Sequence, residues 1–285
     1  MRVDLGGVSF KLFGLSAPSL NLCLHSWGPF AQLSESQRAP GQAPTGSQVD
    51  LVSEDHQAEV ELHFHEGPAP SRLSLDYVRG RDVEIVLRAQ RDGQLVVDSW
   101  IDGSFGSIEA TLQVVLQWAL SQRGGLLVHA AAGVFEGRGW LIPGVSGAGK
   151  STAAREGGFD QVLSDEMVIV RPVSDSSGAY QLDSTPFWSE GRSAPLVVTS
   201  APLTLIAFPR KAGRASLSPC PAPEAVSALL RAVTCYERAQ RDALEQQAAL
   251  FETACRVVEV TPRRLLNFPK FGPWRASLVS QEPRD

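Results

Sequence analysis

The chain is 285 residues long, 43% hydrophobic and 20% charged, with 25 glycines and 19 prolines. That length suffices to bury roughly three quarters of the unfolded surface, and the composition excludes a disordered, fibrous or coiled-coil protein in favour of a loop-rich α/β (α+β) one. Lys plus Arg number 26 against 31 Asp plus Glu, a net charge of −5, so nucleic acid is not an expected partner. Only four cations are lysines, at positions 11, 150, 211 and 270. Cys23, Cys220, Cys235 and Cys255 form no C-x-x-C pair and read as reduced and structural. The N-terminus carries no apolar core with a small-residue cleavage site, and no window approaches 18 uninterrupted apolar residues, so the expectation is a cytoplasmic protein without a membrane partner.

From Val3 to Leu24, short apolar runs broken by Gly, Pro and Ser predict strands and turns. Residues 33–49 hold almost no bulky apolar side chain and predict a mobile loop. Ala58 to Phe64 alternates, with Val60, Leu62 and Phe64 set against Glu59, Glu61 and His63, the period of a half-buried strand. Val83–Leu87 and Leu95–Val97 bracket Arg91-Asp92-Gly93, a hairpin signal. Residues 1–105 therefore read as a β-rich N-terminal domain. His56, His63 and His65 invite a metal reading, but His63 and His65 share the polar face of one strand and read as surface histidines. Ser107 is placed to cap a helix bearing Ile108, Leu112, Val115, Leu116 and Ala119, closed by Gly124-Gly125, and this helix opens a second domain, 106–285.

In that domain Gly125–Phe135, the turn Glu136–Gly139 and Trp140–Ile142 predict a strand, a tight reversal and a second strand. Directly after Pro143 comes Gly144-Val145-Ser146-Gly147-Ala148-Gly149-Lys150-Ser151-Thr152, a complete G-x-x-x-x-G-K-[ST] match that leaves a strand and opens a helix. The chemistry needs each of these residue types. Glycines let backbone N–H groups curl round phosphate oxygens, Lys150 neutralises the β and γ phosphates of ATP, and Ser151 offers a hydroxyl to Mg²⁺, which prefers hard oxygen ligands. A flexible turn with a surface lysine is the plainer alternative, but it leaves the flanking strand and helix patterns unexplained.

The helix can run only to Arg155-Glu156 before Gly157-Gly158 stops it, about two turns. A strand at Asp160–Leu163 then delivers Ser164-Asp165-Glu166, and Met167–Val170 continues apolar. Alone, this would be an acidic turn; beside the loop, Asp165 and Glu166 are placed to flank γ-phosphate and metal. His129, in the apolar strand before the reversal, is either a core histidine or a group that orients or shuttles a proton to Asp165. Pro223 to Ala254 predicts one or two helices, and Arg256–Val260 a strand. Arg263, Arg264, Lys270, Trp274 and Arg275 form a basic, aromatic tail that reads as a solvated face, kept irregular by Pro262, Pro269 and Pro273.

Three segments, His129-Ala-Ala-Ala-Gly-Val134, Gly144–Ser151 and Leu163-Ser-Asp165-Glu166-Met-Val168, together resemble the catalytic core of HPr kinase/phosphorylase. The resemblance covers residues 125–172. Towards residue 210, Thr185-Pro-Phe-Trp-Ser-Glu190-Gly-Arg192 and Ala201-Pro-Leu-Thr-Leu-Ile206 are similar to that family's shorter relatives. It implies a phosphoenolpyruvate carboxykinase-like P-loop core behind the β-rich domain, and phosphoryl transfer from ATP to a serine hydroxyl. By that resemblance Asp165 takes the hydroxyl proton with His129 its neighbour, Lys150 and Ser151 hold nucleotide and metal, and Glu190 is a further metal ligand. The family often forms rings, which implies a homo-oligomer, although no segment of this chain carries an interface signature.

The loop, lysine, hydroxyl and carboxylate predict an ATP- and Mg²⁺-dependent kinase, because phosphoryl transfer asks mainly for positioning and charge neutralisation; the resemblance implies Ser or Thr of a peptide or protein as the acceptor. The alternatives are a kinase of small-molecule hydroxyls and a nucleotide-binding sensor or assembly module with little turnover.

Overall fold

The structure, a computed structural model, describes residues 1–33, 58–68, 77–80, 83–91, 94–175, 177–189, 194–233, 243–272, 274 and 278. Within these residues the chain is mixed α/β, with two sheets and five α-helices. It divides into two compact units, Met1–Ala119 with the first residues of a late helix, and Leu120 onward. No helix among the described residues is long and apolar enough to cross a membrane.

The first unit runs β1 (Arg2–Leu5), β2 (Val8–Phe13), α1 (Ala17–Trp27), β3 (Ala31–Gln32), β4 (Ala58–Glu66), β5 (Tyr77–Gly80), β6 (Val83–Arg91), β7 (Gln94–Ile101) and α2 (Phe105–Ser121). Its seven-stranded sheet has the order β3-β1-β2-β4-β7-β6-β5. The alternation at β4 is realised: Val60, Leu62 and Phe64 are buried, while His63 and His65 share the other face, stacked on Phe13 and Trp100. His56 lies outside the described residues. So do residues 34–49 of the expected loop and the Asp92-Gly93 turn, although β6 and β7 do pair antiparallel across it, Arg91 opposite Gln94.

Two features of this unit differ from the expectation. The strands and turns expected to Leu24 include helix α1, started by the Ser16 hydroxyl, which accepts from the Ser19 N–H, and by Pro18 in the first turn. This is the N-terminal helix signature, hidden by a run of Ser and Leu that also suits turns. At α2 the cap is Ser104: its Oγ accepts from the Ser107 N–H at 3.2 Å, while the Ser107 hydroxyl donates back to the Ser104 carbonyl. Thr111 of α2 shares a 2.8 Å hydroxyl bond with Ser99 of β7.

The second unit carries β8 (Leu126–Phe135), β9 (Arg138–Pro143), α3 (Lys150–Glu156), β10 (Gln161–Ser164), β11 (Met167–Pro172), β12 (Tyr180–Asp183), β13 (Ser200–Lys211), β14 (Ser216–Pro219), α4 (Ala222–Ala232), α5 (Ala243–Val260) and β15 (Arg263–Phe268). The sheet follows β10-β8-β11-β12-β13-β15-β14, and β9 pairs with both β8 and β13. The pairings β8–β11–β12–β13–β9–β8 therefore close on themselves. Closure gives each of those five strands at least two strand partners. The reversal between β8 and β9 is the two residues Glu136-Gly137, both at positive φ (50° and 74°), which glycine adopts without cost and which suits the twist of a hairpin.

Alternation along β8 serves two cores. Leu126, Val128, Ala130 and Ala132 face a cluster completed by Val168, Val170, Ile206 and residues of α4 and α5, including Leu229, Ala254 and Val257. Ala131 faces the opposite cluster, with Trp140, Ile142, Ala153, Ala154, Phe268 and Trp274. The 223–254 pattern resolves into two helices. The strand expected at Arg256–Val260 is instead the last turn and a half of α5, because Ala254, Val257, Val258 and Thr261 are buried at helical spacing; the β-branched valines mimicked a strand. The strand is β15, parallel to β13 and antiparallel to β14. Trp274, assigned to a solvated tail, is 2% exposed, its ring against Trp140, Phe159 and Phe268. Pro273 and Arg275 lie outside the described residues.

Gly133 of β8 lies under the Phe159 ring: a Cβ there would stand 2.3 Å from the ring's Cγ. Gly133→Ala is therefore expected to displace Phe159 from its contacts with Trp140 and Trp274 and to cost about 1–3 kcal/mol of stability, measured as the shift of the urea unfolding midpoint at constant slope.

Candidate functional site

The glycine-rich segment joins β9 to α3. Val145, Ser146 and Gly147 are exposed, and Lys150, the first residue of α3, is 5% exposed. Gly149 has φ 98°, in the left-handed region, and a Cβ on it would stand 2.9 Å from Cζ of Phe268, so both conformation and contact call for glycine. Lys150 Nζ donates to the Val145 carbonyl at 3.3 Å, folding the loop over its own lysine. Ser151 and Thr152 follow half-buried in the first turn.

Strand pairing brings the acidic turn to the same place. β10 pairs with residues 132–134 of β8 and β11 with residues 126–129, so the turn joining them, Asp165-Glu166, stands opposite the middle of β8. The Ala130 N–H donates to the Glu166 carbonyl at 3.0 Å, and on the other edge the Gly144 N–H donates to the His129 carbonyl at 3.2 Å. Ser164 fixes the turn: its hydroxyl accepts from the N–H groups of Glu166 and Met167 and donates to the Phe187 carbonyl at 3.0 Å.

The two acids meet different surroundings. Asp165 is 1% exposed; its Oδ2 accepts from the Ser189 hydroxyl at 2.7 Å and its Oδ1 from the Ser189 N–H at 3.2 Å. Glu166, its side chain 39% exposed, pairs with His129 Nε2 at 2.9 Å. The histidine expected beside Asp165 is thus the partner of Glu166, since a turn sends consecutive side chains in different directions. The hydrogen bond from His129 holds the Glu166 carboxyl below the usual glutamate range, against the effect of its partial burial and helped by the His129 and Lys150 charges. Burial pushes the Lys150 ammonium below its ordinary value, while the charges of Glu166 and Asp165 pull it back up. Hence Lys150, Asp165 and Glu166 lie within one electrostatic neighbourhood, and Ser189, which no sequence motif singled out, belongs to it. Only its place in Thr185–Arg192 could have drawn attention to it. Glu190, expected as a further metal ligand, lies outside the described residues.

The set holds one ammonium, two carboxylates, an imidazole and a hydroxyl beside an exposed glycine-rich turn, groups suited to holding an anion and moving a proton. Among the described residues no group of three His, Cys, Asp or Glu is arranged to hold a metal.

A family described as SynChlorMet cassette protein ScmC matches residues 102–277, well over half of the chain. No relative was found among curated proteins. The match corrects the resemblance to HPr kinase/phosphorylase and its shorter relatives: the family that the residues fit is the cassette-protein family. Three short segments carried that resemblance, and a loop, a histidine and an acidic pair can be shared by more than one family.

Because the folded Glu166 carboxyl titrates below its ordinary value, the pair with His129 stabilises the fold above pH 4.5, the ordinary glutamate value, and that contribution is lost as pH falls through the lower folded value. Carboxyl titration followed by NMR should place the Glu166 midpoint below 4.5 in the wild type and move it upward in His129→Ala; an unchanged midpoint would show that the histidine does not set it.

Proposed function

The chain belongs to the ScmC family of SynChlorMet cassette proteins, and since residues 102–277 contain every described group of the site, we propose that this region is a phosphotransferase that moves the γ-phosphoryl group of ATP to a hydroxyl. One observation carries the reading: the lysine of a complete G-x-x-x-x-G-K-[ST] loop, left by a strand and opening a helix, shares its electrostatic neighbourhood with two carboxylates on an adjoining turn. Such a reaction requires a cradle for the triphosphate, cations for its charge and a carboxylate for the acceptor proton. The finer fold assignment, a P-loop kinase core, is part of the same proposal.

In this reading the N–H groups of the exposed turn Val145–Gly147 and of Gly149 cradle the phosphates, and Lys150 leaves the Val145 carbonyl for their oxygens. Asp165 accepts the hydroxyl proton; it already accepts a hydrogen bond from a hydroxyl. His129 keeps Glu166 ionised. Ser151 and Glu166 are the oxygen donors that would hold Mg²⁺, whose charge would offset that of the phosphates. The donor set fits that ion, which commonly takes one or two carboxylates and completes its shell with water and phosphate. The preferred acceptor is a serine or threonine of a peptide or protein, in the cytoplasm; a small-molecule alcohol is the second choice.

A competing reading, a nucleotide-holding module with little turnover, is favoured by the burial of Asp165 and the engagement of both its oxygens by Ser189. Transfer assays separate the two. Lys150→Ala should weaken nucleotide binding at least about tenfold, whereas Asp165→Asn should keep binding and lose about 10²–10⁴-fold in kcat, the usual cost of a general base. Tight binding to the wild type without transfer to any hydroxyl in a cell extract would decide for the module. A loss in Glu166→Gln greater than in Asp165→Asn would pass the base role to Glu166.

A further inference from the structure

The hydroxyls packed round the acidic turn differ in where their protons go. Ser164 donates to the Phe187 carbonyl, Thr185 to the Met167 carbonyl at 2.6 Å and Ser184 to the Thr199 carbonyl at 3.0 Å. Each of these bonds ties one backbone segment to another. Ser189 alone among the four donates to a carboxylate, Asp165 Oδ2, at 2.7 Å, and its own N–H on Oδ1 fixes the direction of approach. A hydroxyl at that distance from an ionised carboxylate is the arrangement from which a general base takes a proton. Asp165 is 1% exposed, and Ser189 engages both of its oxygens.

We infer that Ser189 is itself an acceptor: the protein phosphorylates its own Ser189 hydroxyl with Asp165 as base. The inference rests on the phosphotransferase reading and names the first hydroxyl that the site serves. Ser189 Oγ attacks the γ-phosphorus of ATP, the Oγ–P bond forms as the bond from that phosphorus to the β,γ-bridging oxygen breaks, ADP leaves with that electron pair, and the Oγ proton passes to Asp165 Oδ2. Once Asp165 has released that proton to solvent, the phosphoserine carries a charge of about −1.5 to −2 beside two carboxylates, Asp165 and Glu166, and like-charge repulsion drives it away from the turn. Asp165, shed of its cover, becomes reachable by an acceptor from outside.

The test uses the full chain with ATP and Mg²⁺, followed by intact mass and by peptide mapping, with nucleotide binding measured separately by calorimetry on a non-hydrolysable ATP analogue. The wild type and Ser189→Thr should each gain the mass of one phosphoryl group, mapped to residue 189. Ser189→Ala and Lys150→Ala should gain none, and thermal melts of the Ala and Thr variants control for loss of folding. Because base and acceptor are in one chain, the fraction of protein labelled per unit time should not depend on protein concentration. Lys150-dependent nucleotide binding with residue 189 unmodified would overturn this inference and leave the phosphotransferase reading standing, as would label that persists in Ser189→Ala. Absence of any nucleotide binding would overturn both.

Discussion

Two backbone hydrogen bonds at the middle of one strand hold the site together: the His129 carbonyl accepts from Gly144 and the Ala130 N–H donates to Glu166. Through them a single buried segment, Leu126 to Ala132, fixes the start of the glycine-rich turn on one edge and the acidic turn on the other. Neither turn has a core of its own. Their distance is set by the width of one strand, and a buried strand inside a closed ring of pairings does not slip, because a shift of one residue would exchange its two apolar faces. The interruption between β10 and β11 belongs to the same design. Both strands pair with β8, and the residues left over between them are the acids.

Electrostatics explains why so polar a group is tolerated inside an apolar unit. A buried ammonium is costly unless opposite charge lies near, and Lys150 has Glu166 and Asp165. Of the two acids, only Glu166 gains a histidine; Asp165 is satisfied by neutral donors from one residue, Ser189. An anion brought to the loop would be met by the lysine, whose only hydrogen bond to a described residue is the long one to the Val145 carbonyl.

Much of this was legible in the sequence because the informative pieces are local. The hairpin of β8 and β9, the glycine-rich turn, the short α3 ended by Gly157-Gly158, and the strand that delivers Ser164-Asp165-Glu166 all follow from periodicity and turn residues over a few positions. The partner of His129 did not follow, since which of two adjacent carboxylates turns outward depends on how β10 and β11 share one edge of β8, a non-local fact. Ser189 was invisible for the same reason: 24 residues separate it from Asp165, and its neighbours Thr185 and Trp188 form a local knot of bonds that gives no sequence signal. The misplaced C-terminal strand has the opposite cause. Its valines carry strand propensity, but burial at three and four residues keeps them in α5, so tertiary packing overrode a weak local preference.

The contrast between Asp165 and Glu166 bears on chemistry more than their shared charge does. Adjacent carboxylates in one environment would interfere with each other's ionisation; here the two stand in different environments. Glu166 is partly exposed and its carboxyl is held below the usual glutamate range by an imidazole, which suits a group that meets solvent, metal or substrate directly. Asp165 is sealed and sees one hydroxyl, which suits a group whose proton traffic must be confined to that oxygen. A carboxylate serving only the fold would be as well satisfied by two backbone N–H groups. What a serine adds is a proton on an oxygen that is also a nucleophile.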